Sequence, residues 1–183
     1  MSADGRVFAV RTAFIRGVEA APVTVEVSMS GGIPGIALVG MADSGVLEAR
    51  GRIRCALRSA GYEIPRASIT VNLAPGDMRK SGSGFDLPIA VAILVATGQL
   101  PPSVAEGALF LGELALDGTV CPVRGDMAYA MLARESGLTL VTSAESPLAG
   151  AWAEGSRALA DLGELRLGLG ALPQLGSLAP APA

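Results

Sequence analysis

Histidine is missing altogether from this 183-residue sequence. That excludes any Ser-His-Asp or Cys-His catalyst and any histidine metal site. Lysine is nearly missing: of 14 basic residues only Lys80 is a lysine, the rest being arginine. The two cysteines, Cys55 and Cys121, stand too far apart for a CxxC pair and read as small buried residues of a reducing compartment. Long apolar runs are lacking as well. The most apolar window, Leu87 to Ala96, falls well short of the roughly 20 residues of a bilayer helix. The N-terminal residues lack a basic stretch followed by an apolar one. The expectation is a cytoplasmic protein with no membrane contact. A net charge of −3 and a pI near 5.0 argue against bulk attraction to nucleic acid, though not against a local basic stripe.

What is present is a core. Half the residues are hydrophobic and the mean hydropathy is +0.49, too apolar for a solvated coil. A chain of this mass buries roughly 69% of its unfolded surface on folding, so neither disulfide nor structural metal is needed. One domain is expected over residues 1–160. From 161 to 183 Gly, Leu and Pro dominate, and that stretch reads as a flexible linker toward an AAA+ module outside this sequence.

Strand patterns follow one another at Val7–Ile15 and Val23–Met29, the second with period-two alternation; Ile36–Val39 reads as a short buried strand and Ser68–Leu73 as an alternating one. A helix is expected from Asp43 to Ala60, capped at its start by Asp43 or Ser44 and stopped by Gly61. A polar, flexible loop follows at 74–84, then an apolar helix from Leu87 to Thr97 with Asp86 as its cap. A strand at Leu109–Leu111, a hairpin turning at Asp117-Gly118, a helix at Asp126–Ser136 and a strand at Thr139–Thr142 come next. Beyond Ala144 a weaker helix and a short strand are expected. The fold class is α+β, a mixed α/β domain.

Six strings occur in order: PGIALVG at 34–40, EARGRIR at 48–54, ITVNLAP at 69–75, FDLPIA at 85–90, LGELALDG at 111–118 and PVRG at 122–125. Together they resemble the N-terminal domain of the ComM/YifB family, the magnesium-chelatase-like (ChlI-type) AAA+ proteins. The resemblance implies a fold like the proteolytic domain of Lon, within the ribosomal-protein/GHMP-kinase superfold. It also implies a non-catalytic accessory domain ahead of an ATPase module, with a role in motor assembly or DNA engagement during branch migration in natural transformation. ATP and Mg are implied only for that module, with no cofactor in this chain. Implied partners are the module itself, a homo-oligomer (a hexamer) and DNA. The rival reading is an active or residual Ser-Lys peptidase.

Three chemistries can be tested on the residues. A P-loop needs GxxxxGK[ST] opening a helix. Here Arg79 stands where the last glycine belongs and Lys80-Ser81 leads into a loop, so ATP chemistry is not expected from this chain. A Lon-type peptidase needs a serine in a KDGPSAG string and a desolvated lysine after a later hairpin. Ungapped alignment puts Gly84 at the serine and Met127 at the lysine, so both catalytic positions are degenerate. Met127 then reads as a core residue. A shifted pair of Ser83 with Lys80 is the remaining arrangement, although Lys80 is expected to be solvated. A metal site has no histidine, and Asp77, Asp86, Glu113 and Asp126 show no ligand spacing.

The binding candidates are Arg50, Arg54, Arg58, Lys80, Asp86 and Glu113. The three arginines recur every fourth residue and form one helical stripe. Three readings stand open: a solvated face, an internal pairing of Arg50 or Arg54 with Asp86 or Glu113, or a contact to DNA phosphate or a neighbouring subunit. Glu48 is placed to pair with Arg52 on another face. Glu113 is expected to pair with an arginine. Lys80 to Gly84 reads either as a bland Gly/Ser loop or as an anion-binding surface.

Overall fold

The computed structural model describes residues 5–146 and 153–175. Strands β1 (Val7–Arg16) and β2 (Glu19–Ser30) form a long antiparallel hairpin, with Val10 opposite Val25. Gly17 closes it with φ of 68°, a left-handed conformation that suits a two-residue turn. β3 (Gly35–Val39) and β4 (Ser68–Ala74) pair in parallel, with β4 antiparallel to β2. On the other flank β5 (Ala108–Phe110), β8 (Thr139–Ser143) and β9 (Arg157–Leu159) continue in parallel from β1. The seven-stranded order is β3-β4-β2-β1-β5-β8-β9. A two-stranded ribbon, β6 (Glu113–Leu114) with β7 (Val120–Cys121), stands apart. The expected mixed α/β class is thus observed. Cys55 and Cys121 are free and half-buried rather than fully buried.

The expected helix at 43–60 breaks in two: α1 (Ser44–Leu47) and α2 (Ala49–Ser59). Asp43 caps α1, its Oδ1 accepting from Val46 N at 2.9 Å. α2 buries Ala49, Ile53, Ala56 and Leu57 on one side. Helix α3 (Asp86–Ala96) is buried at every position and packs on β1, β2 and α2. Leu87, Ile89, Val91, Ile93 and Leu94 are wholly inaccessible. Each such side chain contributes roughly 1.5–3 kcal/mol of transfer free energy, which makes α3 the axis of the core. Helix α4 (Asp126–Glu135) buries Tyr129, Ala130 and Ala133 in a second, smaller cluster. The helix expected beyond Ala144 falls largely on 147–152, outside the described residues.

The linker expectation needs correction. Residues 162–175 are packed, not free: Leu162, Leu165 and Leu172 lie in the main core and Leu175 in the second. Two 3-10 stretches, Leu162–Leu167 and Leu169–Ala171, carry them. Tyr62 Oη donates to Leu162 O at 3.1 Å, and the Arg166 guanidinium lies 3.9 Å from the Tyr62 ring centroid. A Gly/Leu-rich composition hid a folded segment: Leu162, Leu165, Leu169 and Leu172 keep helical spacing, but Gly163, Gly168 and Gly170 among them speak against a helix. Residues 176–183 lie outside the described part.

Candidate functional site

An open cleft of about 790 Å³ lies where the loop before α3 meets the start of α4. One wall is Ser81 to Phe85, the other Pro122 to Gly125, with Phe14, Glu113 and Tyr129 between them. Gly84 belongs in this wall because it has no side chain: a Cβ there would come 2.9 Å from Leu111 Cδ1. Gly125, with φ of 97°, opens α4 and faces Ile15 and Tyr129. Burial pushes the Tyr129 hydroxyl up to about 12.

The cleft's polar pair is Ser83 with Glu113, the serine hydroxyl donating to Oε2 of the carboxylate. The arginine expected for Glu113 is not its partner. The notion of Lys80 as a solvated residue in a flexible loop is also corrected. Lys80 is 0% exposed, and its Nζ donates to Gly40 O at 2.9 Å and to Pro75 O. Its backbone exchanges hydrogen bonds with the 41–43 segment, Lys80 N to Met41 O at 3.0 Å and Asp43 N to Lys80 O at 3.1 Å. Burial lowers its pKa below the ordinary lysine value, with Asp77 acting weakly against that shift. The structure therefore brings Ser83 to Glu113, not to Lys80. Met127 is not in the cleft lining; it is 46% exposed on α4, so it is no core residue.

Asp86 does not cap α3. The cap position is Phe85, without a side-chain bond, and Asp86 is wholly buried. Its two oxygens take the Arg52 guanidinium at 2.7 Å from Nε and 3.0 Å from Nη2, and Oδ2 also accepts from Leu114 N at 3.1 Å. Burial raises the Asp86 pKa, and the Arg52 and Leu114 bonds pull it back. The hydrogen bond to Asp86 raises that of Arg52. Neither Arg50 nor Arg54 answers Asp86. Glu48 does approach Arg52, at 3.9 Å on the solvent side. The role of Arg52 was missed in the sequence, yet a signal existed: Asp86 is the lone charge in an otherwise apolar helix, and a buried carboxylate demands a partner. Arg50, Arg54 and Arg58 all lie exposed on the outer side of α2. Among the described residues no three of His, Cys, Asp and Glu cluster as a metal site needs.

Residues 25–146 match the family model for subunit ChlI of Mg-chelatase. The chain belongs to that family. It is 44% identical over 137 residues to the uncharacterized protein YifB of Salmonella typhimurium, covering 75% of this chain and 27% of that protein. With YifB of Escherichia coli the identity is 42% over the same length and shares. The competence protein ComM of Haemophilus influenzae is 43% identical over 130 residues, 71% of this chain and 26% of ComM. These matches put the chain in the ComM/YifB branch. It spans about a quarter of the length of the curated relatives it matches. No helix among the described residues is long and apolar enough to cross a membrane.

Proposed function

We propose that this ChlI-type domain is a non-catalytic accessory domain of a cytoplasmic magnesium-chelatase-like AAA+ ATPase, built on a Lon-like proteolytic fold and serving motor assembly or DNA engagement. The observation that carries this reading is the engagement of the chain's one lysine. A lysine base must lie beside its serine and hold a free electron pair there. Lys80 instead spends its ammonium protons on the Gly40 and Pro75 carbonyls, while Ser83 is engaged by Glu113. Gly84 and Met127 occupy the positions where the resemblance calls for serine and lysine, which supports the same reading. The name of the ComM relative supports a competence context; on this reading the ATPase with its ATP and Mg, and the surfaces of a hexameric assembly, would lie outside this chain.

One observation favours the peptidase alternative: a serine hydroxyl hydrogen-bonded to a carboxylate inside a cleft. A carboxylate is a weak base toward a serine hydroxyl, so activation is expected to be negligible. Casein digestion and labelling by a fluorophosphonate probe decide between the two. The expected result is no cleavage and no label. Cleavage that disappears in Ser83→Ala would overturn the proposal.

A further inference from the structure

Helix α2 presents three rows of residues four apart. Ala49, Ile53 and Leu57 are buried; Arg50, Arg54 and Arg58 are exposed; Gly51, Cys55 and Ser59 are exposed or half-exposed. Successive arginines stand about 6 Å apart along the axis. Arg50 donates through Nε to Leu47 O at 3.1 Å, and its terminal nitrogens have no hydrogen-bond partner among the described residues. Arg54 and Arg58 have no hydrogen-bond or ion-pair partner among the described residues, whose ion pairs all involve Arg52. Residues 44–66 hold five arginines against two glutamates in a chain of net charge −3. Like charges at i,i+4 each cost about 0.2–0.5 kcal/mol, and nothing in the fold relieves them.

The neighbouring chemistry selects among anionic partners. Arginine hot spots at protein interfaces sit beside aromatic and apolar anchors in well-packed pockets, with the other charged residues depleted. The arginine row is flanked on its open side by Gly51, Cys55 and Ser59, with no exposed large apolar side chain on α2. A regularly charged, rod-like polyanion fits such a surface, because guanidinium forks bind phosphate oxygens bidentately without any apolar anchor.

We infer that the Arg50, Arg54 and Arg58 face of α2 binds the phosphate backbone of nucleic acid, without reading bases. This rests on the accessory-domain reading and names the surface and partner through which it acts. Three phosphate contacts predict that log K falls with log salt at a slope of about −2.7 on duplex and about −2.1 on single strands. The test is anisotropy of a labelled mixed-sequence duplex, and of one strand alone, titrated with the full chain between about 50 and 200 mM salt. The triple variant Arg50→Gln/Arg54→Gln/Arg58→Gln should lose at least tenfold in affinity and flatten the slope. Arg6→Gln/Arg11→Gln/Arg134→Gln, equal in charge change and away from both α2 and the cleft, should leave both unchanged. Both variants are first checked for wild-type circular dichroism and melting. No binding by wild type at low salt, equal loss in the two triples, or competition by polyglutamate matching that by nucleic acid would overturn the inference. The peptide-digestion result stands apart from this one, so either reading can fail alone.

Discussion

Replacing Arg52 by methionine removes the one cation that pairs with Asp86 among the described residues. In Arg52→Met the carboxylate stays wholly buried with one remaining bond, from Leu114 N at 3.1 Å. Breaking a buried pair in this way costs about 3–5 kcal/mol. At about 2–4 °C per kcal/mol for a chain of this size, the melting temperature should fall by roughly 6–20 °C. The pH dependence gives a second reading. Burial already raises the folded-state pKa of Asp86, and loss of Arg52 removes a force holding it down. A carboxylate whose folded pKa lies above its unfolded value binds more protons folded than unfolded, so stability falls as pH rises through that window. The penalty of Arg52→Met should therefore shrink as pH falls from neutral toward the unfolded aspartate value of about 3.9. Replacing both partners, Arg52→Met/Asp86→Leu, should recover most of the loss, since no buried charge is left alone. Thermal melts of the wild type, both single variants and the double across that pH range measure the cycle. A drop under about 2 °C for Arg52→Met, or a penalty that does not change with pH, would refute the argument.

Lys80→Met leaves the Gly40 and Pro75 carbonyls without their donor, at about 1–3 kcal/mol each, offset in part by the burial cost of the ammonium; denaturant melts should show net destabilisation. Because the folded pKa of Lys80 is lowered, wild-type stability should rise with pH in the window between its folded value and about 10.4, and Lys80→Met should lose that rise. Gly84→Ser should fold with a loss of about 1–3 kcal/mol, since its Cβ meets the movable end of Leu111, and should gain no peptidase activity. Leu165→Ala should cost about 2–5 kcal/mol if 162–175 belongs to the core; an unchanged denaturation midpoint would return that segment to linker status.

β2 and β4 were legible because each keeps one face on the core, and alternation reports that directly, whereas β1 buries Thr12, Ala13 and Phe14 in succession. Helix α3 was legible as a helix but not in its polar chemistry. Asp86 at the first turn has the local signature of a cap, and only the fold brings Arg52, 34 residues away, to its carboxylate. Lys80 misled for a related reason. Its neighbours Arg79, Ser81 and Gly82 are exposed, yet its side chain turns inward to the Pro75 carbonyl of its own loop and to that of Gly40, 40 residues away. Long-range pairings of this kind leave no period in the sequence. The cleft's walls were foreshadowed at Ser83, Gly84 and Glu113, whereas the contributions of Phe14 and Tyr129 depend on β1 and α4 meeting in space. Residues 162–175 show the opposite failure, where composition suggested a linker and packing made a core.

The buried ion pair and the exposed arginine row are two consequences of one helix rotation. At 100° per residue, Arg50 and Arg54 each lie about 200° around α2 from Arg52, and Arg58 about 240°. Fixing Arg52 on Asp86 at 2.7 Å therefore turns the other three outward, with the buried Ile53 and Leu57 between the two directions. A slip of one position in α2 that moved Arg52 into the place of Ile53 would carry Leu57 to the exposed place of Arg58. Asp86 would then lack its partner at the same time as the core lost a leucine. The two costs add, so the rotation is specified twice, by packing and by charge. That double specification keeps α2 in one orientation, with Arg50, Arg54 and Arg58 facing out and the half-buried Arg52 turned to Asp86.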